Sequence, residues 1–182
     1  KKFIFFIFLL LGLNLTSEKA QAQCGLAIAA NNITTTWDLT WTLQAVSITV
    51  SKTNPAACTF GLGFSKGGAG SYTRYSVSGA LQLNYQLYND NGATNILKDA
   101  PDTVTVNDVV MVTLPAGSGP QIVQYFFDIP YALATTPLAH AGTYTDSFTI
   151  SAYEGADPSL FAGPPATSAP VNLTVTIDKL IN

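Results

Sequence analysis

Two residue types that carry much of catalytic and metal chemistry are nearly missing from this chain. Its 182 residues include one histidine, His140, and two cysteines, Cys24 and Cys58. A lone histidine builds no metal cluster and offers no ready base to a serine or cysteine nucleophile. His140, set between Ala139 and Ala141, reads as a loop residue. Charge is scarce too: charged residues make up 10% of the chain and the net charge is −3. That leaves no basic stripe for nucleic acid and no polybasic face for an anionic membrane. It also leaves little repulsion between copies, as in a protein that packs into a coat, or in many plain secreted domains. Gly61 to Gly68 hold glycines and a lysine but lack the phosphate-loop spacing. Asp99, Asp102 and Asp108 flank turns without the calcium-loop run and read as solvated loop acids. No carboxylate pair stands out for glycoside hydrolysis. The reading is of a non-catalytic protein with no cofactor and no metal.

The first residues are of another kind. Lys1 and Lys2 precede an apolar run through Leu13, and Ala20-Gln21-Ala22 follows. A charged start, an apolar segment too short to span a bilayer and an A-x-A site describe a secretory signal peptide. The expectation is a signal peptide over 1–22, a single domain over 23–182 and no transmembrane segment after cleavage; an uncleaved anchor is the alternative. Gln23 stands where a lipoprotein signal wants a small residue before the cysteine. An even pair of cysteines in an exported chain points to one disulfide, Cys24–Cys58. A reactive thiol pair would need a C-x-x-C or a nearby cation, and neither is visible.

From residue 23 on, the hydrophobic pattern has period two. Leu39, Trp41 and Leu43 alternate with polar residues, as do Val46, Ile48 and Val50. Cys58, Phe60, Leu62 and Phe64 share a face, as do Leu81, Leu83, Tyr85 and Leu87. Further strands are expected within 103–114, 121–129, 142–155 and 171–182. Turn signals separate them, including Asn91-Gly92, the strongest short hairpin cue. Residues 155–170 read as a Gly/Pro-rich loop or linker. Short strands with one apolar face each predict an all-β, immunoglobulin-like sandwich of about seven to nine strands. Most aromatics suit its core or rim. Tyr125 and Phe126 are the candidates for a binding surface, because Tyr125, Phe126 and Phe127 cannot all point inward from one strand.

One set of residues goes beyond composition. Arg74 precedes Leu83-Asn84-Tyr85, Leu87, Tyr88 and Asp90; Gly142, Tyr144 and Asp146 follow later, with Tyr153 beyond them. This set resembles the spore coat protein U domain family, which includes spore-coat proteins and subunits of archaic chaperone–usher pili. The resemblance covers most of the chain after residue 22. For pilus subunits it implies an immunoglobulin-like fold that lacks its last strand. A periplasmic chaperone fills the groove first, and the next subunit's N-terminal extension replaces it: donor-strand complementation, a form of β-augmentation. Implied partners are such a chaperone and other pilus or coat subunits. The implied route is export through the periplasm to the cell surface, with a role in adhesion. An N-terminal cysteine paired with a second one also fits.

The chain departs from that pattern. Only Gln23 would precede Cys24 after cleavage, too little for a donor strand. The chain runs on past Tyr153, with Val171, Leu173, Val175 and Ile177 on one face. Cys58 starts a strand, where the family's second cysteine sits nearer the end of the preceding one. The family's Trp-Gly-Asp after the hairpin is absent. Two readings follow. Residues 171–177 are an in-cis last strand that closes the groove, making a self-complemented cap, coat or adhesive protein. Alternatively they lie elsewhere in the sheet, and the protein is a tip-type subunit whose open groove needs a chaperone or donor strand. A secreted carbohydrate-binding module is the remaining alternative.

Overall fold

The computed structural model describes residues 24–38, 41–103, 105–130, 140–161 and 163–178. The signal-peptide expectation falls outside these residues. Among the described residues there are ten strands, and no helix is long and apolar enough to cross a membrane. Strands β1 (Leu26–Ala30), β3 (Gln44–Lys52) and β8 (Gln121–Asp128) lie side by side, antiparallel. The other layer is β2 (Ile33–Trp37), β10 (Thr167–Ile177), β9 (Gly142–Glu154), β4 (Cys58–Phe64) and β7 (Val110–Leu114). The hairpin of β5 (Arg74–Ser78) and β6 (Leu81–Tyr88) joins the layers. The first part of β6 pairs with β5, and its last three residues pair with β8. A single bridge, Val77 to Thr145, ties β5 to β9.

Alternation does what period two requires. Ile48, Val50, Tyr125 and Phe127 point inward from one layer. Phe60, Leu62, Phe64, Phe148 and Ile150 face them from the other. Across the gap the Phe64 and Tyr125 rings sit 4.9 Å apart, and Phe64 also approaches Phe148 at 6.4 Å. The result is an immunoglobulin-like sandwich with one main core.

The strand count exceeds the expected seven to nine for local reasons. In β2 the run Thr34-Thr35-Thr36 hides the alternation that Ile33 and Trp37 reveal once both are seen buried. In β5 the inward position at the head of the strand is an arginine. The strand expected around Leu39 to Leu43 does not form: Trp41 to Leu43 are irregular, and positions 39 and 40 lie outside the described residues. Trp41 is instead held in a turn by its N–H on Asp38 O at 3.1 Å. Its indole donates to Asp128 at 3.1 Å and meets Phe127 edge-on. Within 103–114, Val106–Asp108 form a 3₁₀ turn before β7. At Asn91-Gly92 the chain reverses, but it returns only as an isolated Tyr88–Ile96 bridge. Within 155–170, Pro158–Leu160 form a 3₁₀ turn and β10 already begins at Thr167.

Cys24 and Cys58 form a disulfide, with Cα atoms 6.0 Å apart, within the ordinary range. It ties the chain just before β1 to the start of β4, 34 residues on. Replacing both cysteines by serine removes a loop closure worth about 3–4 kcal/mol in the chain-entropy model. Denaturant unfolding of the double variant should show a loss of that order, with the fold retained.

Candidate functional site

The candidate last strand, residues 171–177, falls within β10, which runs between β9 and β2. β10 pairs antiparallel with β9 over eleven residue pairs, from Thr167–Ala152 to Ile177–Gly142. On its other side it pairs parallel with β2, from Leu173–Ile33 to Ile177–Trp37. Val171, Leu173, Val175 and Ile177 all point into the core, none more than 2% exposed. Pro170 fits because of where it stands. The Asn172 N–H is aimed at the β2 side, where Asn32 Oδ1 accepts it at 3.0 Å. Pro170, two residues earlier, would aim its missing N–H the same way, beyond the paired part of β2, where no ladder bond is lost. Burying four aliphatic side chains is worth roughly 6–12 kcal/mol, an upper figure set against an extended chain. That is comparable to the whole stability of a domain.

The motif residues brace β4, β6 and β9 and the loops beside them. Arg74 is fully buried. Its guanidinium donates to Ser65 O at 3.0 Å, Phe64 O at 3.0 Å, Leu97 O at 2.8 Å and Gln86 Oε1 at 3.1 Å. It also lies 5.0 Å from the Tyr72 ring centre. One planar fork thus joins the end of β4, β6 and the following loop, which a lysine could not do. Burial lowers its pKa to about 10, against the nearby Tyr85, Tyr72, Asp146 and Asp99, so it stays charged at neutral pH. Tyr85, opposite Arg74 in the hairpin, donates to Asp146 Oδ2 at 2.7 Å. The other Asp146 oxygen accepts the Gly68 N–H at 2.9 Å. A methyl at Gly67 would fall 2.5 Å from that carboxylate, so glycine permits the approach, with φ at +66°. Burial, then the bond to Asp146, pushes the Tyr85 hydroxyl far above its usual pKa.

Tyr144, buried near the start of β9, donates its hydroxyl to His140 O at 2.8 Å and accepts the His140 N–H at 3.1 Å. This is the tyrosine corner of immunoglobulin-like sandwiches. It gives His140 its place: an exposed loop residue engaged through its backbone. Asp90 takes the N–H groups of Gly92, Thr94 and Asn95 and so shapes the turn after β6. Asn84 stands opposite Tyr75 in the hairpin, and Tyr88 opposite Phe126. Leu83 and Leu87 are core. A methyl at Gly142 would make only ordinary contacts, so nothing in the packing there requires glycine.

Two acids differ from the solvated reading. Asp108 is 8% exposed; it caps its own 3₁₀ turn and pairs with Lys98 at 2.8 Å. Asp99 is half-buried and accepts the Tyr153 hydroxyl at 2.9 Å, above Gly63, where a Cβ would fall 2.4 Å from its oxygen. Burial raises its pKa, against the hydrogen bonds from Tyr153, Ala100 and Ser151. Burial and the same bond push the Tyr153 hydroxyl up to about 12. Only Asp102 stays on the surface, paired with Lys66 at 2.8 Å. The proposed binding pair separates. Tyr125 is 1% exposed and packs on Phe64, so it presents no surface, and its hydroxyl has no hydrogen-bond partner among the described residues. Phe126 does turn outward, half-buried. Alternation along β8 explains both. Ser65 and Gln86, which the sequence did not single out, complete the bracing. Among the described residues no group of three or more His, Cys, Asp and Glu is placed to hold a metal ion.

The fold and its bracing define an immunoglobulin-like domain whose distinctive residues hold strands together. Residues 12–151 match the Spore Coat Protein U domain, and the chain belongs to that family. The matched stretch ends within β9, and β10 lies beyond it. No curated protein sequence matches the chain. Among solved structures, the CooA pilin subunit of enterotoxigenic Escherichia coli is similar at 10% identity and TM-score 0.49, over 85% of this chain and 99% of that one. The CssB subunit of colonization factor CS6 from the same organism, complemented with a donor strand from CssA, is similar at 14% identity and TM-score 0.40, over 84% and 97%.

Two outcomes follow from this bracing. Arg74→Met takes its donors from three carbonyls, two of them in buried bonds, and should cost about 3–5 kcal/mol in denaturant unfolding. Asp99→Asn acts through pH. Because the folded state raises the Asp99 pKa, the wild type gains stability from this group as pH falls through it and loses that gain as pH rises. The asparagine variant should therefore compare best with wild type near pH 7. Its relative stability should decline toward pH 4 in thermal melts.

Proposed function

We propose that this protein is an exported, non-catalytic structural subunit of the pilus or coat type, and that β10 is its own closing strand. The observation that carries the reading is the position of β10: paired on both sides, with four alternating aliphatic side chains in the core. In the pilus subunits that the family resemblance brings to mind, that place is filled by a chaperone and then by a neighbour's strand. A β9 edge over an uncovered core would invite another chain. Here the same chain meets that demand. The Cys24–Cys58 disulfide suits an oxidising compartment, and the lysines, apolar run and A-x-A site of residues 1–22 suit secretion. With the slot filled, the protein needs no chaperone to remain folded.

The test compares residues 23–182 with 23–163, both exported to an oxidising compartment without a co-expressed chaperone. The longer chain should be soluble and melt cooperatively. The shorter one should aggregate, and a peptide of residues 167–177 supplied in trans should rescue it. A longer chain that is itself insoluble until given a chaperone or a donor peptide would contradict the reading.

A further inference from the structure

The turn after β6 holds the chain's one Asn-Gly pair, Asn91-Gly92. Both residues are exposed. In such a pair the backbone nitrogen of the glycine can attack the side-chain amide carbon of the asparagine, because no Cβ crowds the approach. A bond forms between Gly92 N and Asn91 Cγ as that nitrogen gives up its proton. The bond from Cγ to the side-chain nitrogen breaks, and ammonia leaves with the proton. The product is a cyclic succinimide. Water then opens the ring at either carbonyl, giving aspartate or isoaspartate.

The fold puts an obstacle at the attacking atom. Asp90 Oδ1 accepts the Gly92 N–H at 2.9 Å. The same oxygen takes the Thr94 hydroxyl at 2.9 Å and the Thr94 N–H at 3.3 Å, while Oδ2 takes the Asn95 N–H at 2.8 Å. The Ala93 N–H closes the turn on Asp90 O at 3.3 Å, with Ala93 in the left-handed region at φ +53°. A carboxylate held by so many donors does not swing away from Gly92. Against a loss of solvation, the bonds from Asn95, Thr94 and Gly92 keep its pKa below the usual carboxylate range, so it is charged at neutral and alkaline pH.

We propose that Asn91-Gly92 is a latent deamidation site and that Asp90 holds it closed. The Gly92 nitrogen attacks only without its proton. A charge-assisted hydrogen bond keeps that proton in place, and a negative charge beside the nitrogen disfavours its anion. A carboxylate is far too weak a base to take an amide proton itself. Asparagine or serine would also shape a turn at this position, but only an ionised acid adds the charge. Failure of the guard would put an extra methylene into the backbone and a second carboxylate next to Asp90. The change would fall just before Leu97, whose carbonyl holds Arg74. None of this depends on how β10 is used.

Peptide mapping by mass spectrometry tests this on the chain from residue 23, kept for days in warm, mildly alkaline buffer. It follows conversion of Asn91 to aspartate and isoaspartate, with a thermal melt of every sample. A free peptide of residues 88–95 gives the unguarded rate. The folded wild type should convert at least tenfold more slowly than the peptide, a barrier difference of about 1.4 kcal/mol. Asp90→Ala should recover most of that rate. Thr94→Val removes the hydroxyl bond to Oδ1 but leaves the Gly92 bond, and should stay near the wild-type rate. A wild type as fast as the peptide overturns the proposal. So does an Asp90→Ala variant no faster than wild type, or a Thr94→Val variant as fast as Asp90→Ala, which would make looseness of the turn the cause. If Asp90→Ala melts poorly, Asp90→Asn replaces it. That variant keeps an acceptor without the charge and should still convert faster than wild type; an unchanged rate overturns the proposal.

Discussion

The backbone groups along one edge of β9 must find partners, and the hydrophobic floor beside them must be covered. In this chain β10 does both. Its eleven residue pairs satisfy that edge, and Val171, Leu173, Val175 and Ile177 cover the core. β2 in turn depends on β10, because β10 is its only strand partner among the described residues. Without β10, β2 would lose its ladder, and Ile33 and Trp37 would lose the neighbours that bury them. The free energy at stake in those side chains is of the order of a small domain's whole stability.

The residues that mark the family serve the same end. Arg74 ties the end of β4 and the loop at Leu97 through backbone carbonyls, and β6 through the Gln86 side chain. Tyr85 and Asp146 tie β6 to β9, and Tyr144 fixes the corner at which β9 begins. Arg74, Tyr85 and Tyr144 are buried, Asp146 is half-buried, and each is matched to a partner. A fully satisfied buried polar network specifies one arrangement of strands. It also explains perturbed tyrosines and acids without a catalytic cleft: burial and a hydrogen-bond partner suffice for Tyr85, Tyr153 and Asp99.

The sequence made the long strands legible because their period-two pattern is strong, as in Cys58 to Phe64 and Val171 to Ile177. It hid the short ones, β1 and β2, where alanine and threonine runs blur the two faces, and β5, where an arginine occupies a core position. The disulfide followed from parity and export. Tyr125 was misplaced because sequence says that consecutive aromatics diverge but not which of them faces inward. Asp99 and Asp108 looked like solvated loop acids because their partners, Tyr153 and Lys98, are named only by the fold; Lys98 is close in sequence yet its pairing needs the turn at Val106–Asp108. The family motif was readable as a set. Its role as bracing was not, since the bonds join residues as far apart as Tyr85 and Asp146.

If β10 belongs to the core as fully as β9 does, the two should open together and only when the whole domain unfolds. Native-state hydrogen exchange measures this residue by residue. The account predicts that the amides of Leu173 to Ile177 exchange with the same free energy as those of Phe148 to Ala152, equal to global unfolding. Exchange from β10 at a much lower free energy, with β9 and β4 still protected, would contradict it, because the slot would then open on its own and await another strand.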